Sequence, residues 1–141
     1  MPGAPRSLTI AAKPASLTAV TEFVHKGALE ASLPEARIGE LDLLIEELVM
    51  NVCSHAYPDG LSGDMIVTYS VPAPGELSVE VADRGGEFNP LKAEPPDLTV
   101  SLEARPIGGL GIYLVKTLAT SLTYRREQGW NRLTFGISAG S

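Results

Sequence analysis

Glu46-Glu47-Leu48-Val49-Met50-Asn51-Val52-Cys53-Ser54-His55-Ala56-Tyr57 closes the longest periodic run in the chain. Traced back from it, Ile38, Leu41, Ile45, Leu48, Val52 and Ala56 recur at spacings of three and four, the buried stripe of an amphipathic helix. The helix is predicted to start at Pro34, a favoured first-turn residue, and to stop where Tyr57-Pro58-Asp59-Gly60 brings turn chemistry. Glu47, Asn51 and His55 stand four apart and form one ridge along the edge of the apolar stripe, whereas Glu46 points away from it. A carboxylate and a carboxamide on that border are half-buried and face whatever the apolar side covers. The same spacing also describes a solvated helix flank.

Outward from this helix the pattern changes period. Leu8-Thr9-Ile10-Ala11 reads as a short strand. From Ser16, an N-cap residue type, Leu17, Val20, Phe23, Val24 and Ala28 mark a first helix. On the other side, Met65, Val67, Tyr69 and Val71 alternate with polar neighbours, as do Leu77, Val79 and Val81, with Pro72-Ala73-Pro74-Gly75 between them as a hairpin turn. Residues 84–107 hold four prolines and no clear period, and a loop that long in a compact domain is usually functional or mobile. Gly108-Gly109-Leu110-Gly111 opens a third helix, to about Ala119. Strands near Leu122–Arg126 and Arg132–Ile137 then flank Glu127-Gln128-Gly129. The order β-α-α-β-β-loop-α-β-β, with successive hairpins, predicts an α+β fold: a mostly antiparallel sheet with helices on one face.

Composition narrows the function. The 141 residues suit a single domain, with a core expected over about 8–137. Eleven Lys and Arg against 17 Asp and Glu give a net charge of −6, which argues against bulk phosphate-backbone contact and hence direct nucleic-acid binding. The one cysteine, Cys53, leaves no disulfide framework, and no run approaches the roughly 20 apolar residues of a membrane span. Met1-Pro2-Gly3-Ala4-Pro5-Arg6 is not followed by an apolar stretch of the signal-peptide kind, so a cytoplasmic protein is expected.

Two further clusters carry chemistry. Asp83-Arg84-Gly85-Gly86-Glu87-Phe88 follows a strand, and its glycines admit a ligand to the backbone without Cβ interference, although Asp and Gly are ordinary turn formers too. Gly108-Gly109-Leu110-Gly111 precedes a helix, whose free N–H groups and positive dipole end favour an anion. No Gly-Lys-Ser/Thr follows it, so it is not the Walker loop, and no preceding strand of a βαβ unit supports a dinucleotide fingerprint.

Taken in order, these clusters resemble the ATP-binding domain of the gyrase/histidine-kinase (GHKL) superfamily, and most closely the anti-sigma-factor serine/threonine kinases of bacterial partner switching. Glu46 through Tyr57 resembles that family's N box. Arg105-Pro106-Ile107-Gly108-Gly109-Leu110-Gly111-Ile112-Tyr113-Leu114-Val115-Lys116 resembles its G2 box, and the tail Tyr124-Arg125-Arg126 through Asn131-Arg132-Leu133-Thr134 is similar too.

The resemblance implies a two-layer α/β sandwich of the Bergerat type, with ATP between helices and sheet and a mobile ATP lid over about 86–107. It implies that Asn51 holds Mg²⁺, that Asp83 accepts from the adenine amino group and that Gly85 lets the base approach. Gly108, Gly109, Leu110 and Gly111 would face the phosphates, and Glu47 would be the general base on the attacking hydroxyl. His55 matches the family as a phosphate neighbour and suits helix packing equally. The chain departs from the family pattern at Ser54, Glu87 and Asn89, and the register of Asn131 through Thr134 is open, so Thr134 has no assigned role. The implied partners are an anti-sigma-factor antagonist phosphorylated on Ser or Thr, a sigma factor and a second copy of the chain. A nucleotide-gated binder and a simple ATPase are the competing readings. The catalytic half of a histidine kinase is disfavoured, because 141 residues leave no room for a phospho-acceptor helix pair.

Overall fold

The computed structural model describes residues 4–57, 63–87, 89 and 115–140. In chain order these form β1 (Arg6–Ala11), α1 (Leu17–Ala31), α2 (Glu35–His55), β2 (Asp64–Ala73), β3 (Glu76–Asp83), β4 (Ser121–Glu127) and β5 (Trp130–Ser138). A 3₁₀ turn, Pro14–Ser16, leads into α1, and residues 115–118 are helical. The described strands make one antiparallel sheet in the order β1-β2-β3-β5-β4, with α1 over β2 and β3 and α2 over β3. This is the α+β arrangement expected from the succession of hairpins.

Alternation explains why the sheet has one dry face. Met65, Val67 and Tyr69 on β2, Leu77, Val79 and Val81 on β3, and Leu133, Phe135 and Ile137 on β5 all point to the helices and are buried. Against them lie Val20, Val24 and Ala28 of α1 and Leu41, Leu44, Ile45, Leu48, Val49 and Val52 of α2. The other face is polar, with Glu80 accepting from Arg132 Nη1 at 2.8 Å and from Thr134 Oγ1 at 3.4 Å. Thr134 therefore stands on the face turned away from the helices.

One helix start differs from expectation. Pro34 is the N-cap of α2, with φ −69° and ψ 153°, rather than its first residue. A proline has no N–H to satisfy there, so either place is tolerated. Ser16 is the N-cap of α1, as expected, but the preceding 3₁₀ turn holds it in a helical conformation (φ −80°, ψ −11°) rather than the extended one of a capping residue, and it makes no side-chain cap bond. Helix α1 also runs one turn past Ala28, to Ala31. Ser32 stops it in a left-handed conformation with φ 58°, and the Leu33 N–H donates to the Ala28 carbonyl at 3.0 Å.

The hairpins set the register that the site depends on. Gln128 and Gly129 both have positive φ, 49° and 86°, the requirement of a two-residue turn whose twist matches the flanking strands. That turn places Glu127 opposite Trp130 and Arg126 opposite Asn131, and β5 in turn sets Asn131 opposite Asp83 on β3.

Candidate nucleotide site

The C-terminal half of α2 and the ends of three strands bound one cleft, lined by Leu48, Asn51, Val52, His55, Ala56, Val81, Asp83, Tyr124, Asn131 and Leu133. Asn51 and His55 lie one turn apart on α2, as their spacing predicts, and Asp83 faces them from the end of β3. The floor is apolar, from Leu48, Val52, Ala56, Val81 and Leu133. A flat ring fits such a floor, with few polar groups to orient it.

Asp83 is only 7% exposed, which calls for hydrogen-bonding partners. Its Oδ1 accepts from the Gly85 N–H at 2.8 Å and from Asn131 Nδ2 at 2.9 Å. Its Oδ2 accepts from none of the described residues. The carboxylate is thus held through one oxygen and leaves the other as an acceptor in the cleft, matched to a ligand N–H.

Gly85 is required at its position. A Cβ there would fall 2.1 Å from the Ala56 carbonyl oxygen and 2.6 Å from its Cα, both backbone atoms that cannot swing aside. This close approach joins the end of β3 to the end of α2. Tyr57 closes the same joint: its hydroxyl donates to the Asp64 carbonyl at 2.6 Å and accepts from the Arg84 N–H at 3.0 Å. Gly86, by contrast, has open space where a Cβ would be.

Glu47 stands one turn before Asn51 and is half-buried, while Glu46 is exposed, as the ridge argument predicts. Burial first, and the neighbouring Glu46 charge second, push the Glu47 carboxyl above its ordinary value. A carboxylate raised in this way is a better proton acceptor at neutral pH than a fully solvated one. Burial likewise raises the Cys53 thiol, which keeps it protonated and unreactive.

The residues expected at the phosphate end, Gly108, Gly109, Leu110 and Gly111, lie outside the described residues, as does most of the expected lid over 86–107. Among the described residues no three His, Cys, Asp or Glu side chains converge as a metal site. The Asn51 carboxamide offers one oxygen donor of the kind Mg²⁺ takes alongside phosphate oxygens and the waters it commonly keeps. No described helix is long and apolar enough to cross a membrane.

Three residues of the cleft were not singled out from the sequence: Asn131, Tyr124 and Leu133. All sit in the tail whose register was open. The available signal was parity: once Gln128-Gly129 is taken as the turn, Tyr124 falls opposite Leu133, and 131, 133, 135 and 137 share one face.

Residues 10–137 match the family model described as the histidine kinase-like ATPase domain. The serine/threonine-protein kinase BtrW of Bordetella bronchiseptica is 34% identical over 94 residues, covering 67% of this chain and 66% of that protein. The serine-protein kinase RsbW of Listeria monocytogenes is 30% identical over 124 residues, covering 80% of this chain and 78% of its own length. Among solved structures, the RsbU and RsbW domains of a Mycobacterium tuberculosis protein superpose with a TM-score of 0.66 at 18% identity, over 96% of this chain and 32% of that one. The histidine kinase domain of a blue-light activated kinase from Erythrobacter litoralis gives 0.53 at 23% identity, over 72% and 44%. These structural likenesses bear on the fold.

Proposed function

The chain belongs to the histidine kinase-like ATPase domain family, and from that premise we propose that it is an ATP-dependent serine/threonine protein kinase of a partner-switching system. Its substrate would be an anti-sigma-factor antagonist, and a sigma factor and a second copy of the chain would be its further partners. The observation that carries the reading is the meeting of Asn51, His55 and Asp83 in one cleft with an apolar floor, in a chain whose curated relatives are named a serine/threonine-protein kinase and a serine-protein kinase.

The geometry supports a division of labour. Asp83 Oδ2 accepts the adenine amino group, while guanine offers a carbonyl oxygen at that position and is repelled. The apolar floor takes the ring. Asn51 would hold Mg²⁺, which when bound would neutralise charge on the phosphates. His55 lies one turn further on, and Gly108, Gly109, Leu110 and Gly111 would offer their backbone N–H groups to the phosphates. Glu47 takes the proton from the attacking Ser or Thr hydroxyl as the γ-phosphate is transferred. A pure binding module has no need of a base there, and the presence of Glu47 one turn before Asn51 favours the kinase over the nucleotide-gated binder.

The test is to incubate the chain with Mg²⁺, γ-labelled ATP and small antagonist-type proteins encoded beside it. Label is expected on a serine or threonine of one of them. ATP binding with no label on any of them favours the nucleotide-gated binder. Labelled inorganic phosphate alone favours a simple ATPase.

A further inference from the structure

The tail of the chain builds a network behind Asp83 that the division of labour above leaves unused. Asn131, at the start of β5, is only 6% exposed. Its Nδ2 donates to Asp83 Oδ1 at 2.9 Å and to the Gly86 carbonyl at 2.9 Å, with the Gly85 carbonyl at 3.4 Å. Its Oδ1 accepts from the Tyr124 hydroxyl at 2.6 Å and from Arg126 Nη1 at 3.2 Å. Arg126 Nη1 also donates to the Gly85 carbonyl at 2.7 Å. The amide can lie only this way round. Flipped, its oxygen would face a carboxylate and two carbonyls, and its nitrogen would face an arginine.

We propose that Asn131 is the positioning residue of the adenine site: it fixes Asp83 through Oδ1 and the Gly85–Gly86 turn through its carbonyls, so that Asp83 Oδ2 is left to read the exocyclic amine. This inference rests on the reading of the cleft as an ATP site. The physical reason is that a lone aspartate rotates about χ1 and χ2, and each lost rotamer on binding weakens the contact. Here Asn131 has already spent that entropy in the folded chain. The Tyr124 hydroxyl and Arg126 hold Asn131 in turn. The two strands of the C-terminal hairpin therefore set base recognition through Asp83 as well as lining the cleft wall.

The experiment compares ATP with purine riboside triphosphate, which differs from it by the missing amine, in calorimetric titrations of the full chain with Mg²⁺. Wild type is expected to prefer ATP by at least about tenfold, the equivalent of one hydrogen bond to a charged group. In Asn131→Leu that preference should shrink to within about twofold, while affinity for purine riboside triphosphate changes little. In Tyr124→Phe, which removes only the hydroxyl that holds the amide, the preference should fall by about threefold. A folded Asn131→Leu that weakens both ligands equally, with the preference intact, overturns the proposal and leaves Asn131 a merely structural residue. If Asn131→Leu does not fold, an unchanged preference in Tyr124→Phe overturns it instead. A wild type that binds neither ligand refutes the ATP reading itself, which is a separate failure.

Discussion

Glu47 carries a charge that the fold discourages. Because burial and Glu46 raise its pKa above the ordinary 4.5, the folded chain holds its proton more tightly than the unfolded chain does. That preference supports the fold below the unfolded value and is lost as pH rises through the folded one. At neutral pH Glu47→Gln is therefore expected to raise the thermal unfolding midpoint, and the gain should vanish on acidification below about 4.5. The same substitution removes the proposed base. Phosphotransfer to a cognate partner should fall by about two orders of magnitude or more, with ATP affinity kept within about twofold. A stabilised variant with lost activity is the signature of a functional carboxylate, and an exposed structural one would show neither. At the end of β3, Asp83→Asn should weaken ATP by about 1–3 kcal/mol, read by calorimetry, since a charged acceptor becomes a neutral amide. Asn51 and Asp83 were legible because helix spacing and a strand-end Asp-x-Gly are local patterns. Asn131 was not, because its partner Asp83 is 48 residues away and only the pairing of β3 with β5 brings them together.

At the scale of elements, the long helix and both hairpins could be read from period and turn residues, and most boundaries agree within a few positions. What sequence could not show is how tightly the elements approach. Gly27 on α1 faces Tyr69, and a Cβ there would come within 2.6 Å of the Tyr69 ring, which itself packs on Phe23 at 5.0 Å. Alanine at 27 gains helix propensity of up to about 1 kcal/mol, but overpacking costs about 1–3 kcal/mol. Gly27→Ala is expected to be destabilising in chemical denaturation for this reason. Gly85→Ala should do worse, since the obstructing atoms are backbone. It should cost stability and ATP affinity together, because the same contact sets the end of β3 against the end of α2. Tyr57→Phe removes two hydrogen bonds at that joint and should cost about 1–3 kcal/mol by the same measurement.

For the whole molecule, alternation and hairpins predicted the antiparallel sheet and its covered face. The strand order was out of reach, because β5 rather than β4 lies beside β3, and either strand could have taken that place on its own pattern. This swap is what builds the site: it carries Asn131, Tyr124 and Leu133 to the wall opposite Asn51 and His55. An adenine-specific nucleotide site in this cleft is tested by calorimetric titration of the wild-type chain with ATP and with GTP in the presence of Mg²⁺. Binding of ATP at least about tenfold tighter than GTP is expected, the worth of one charged hydrogen bond won by adenine and denied to guanine. Equal affinity for the two nucleotides would contradict it.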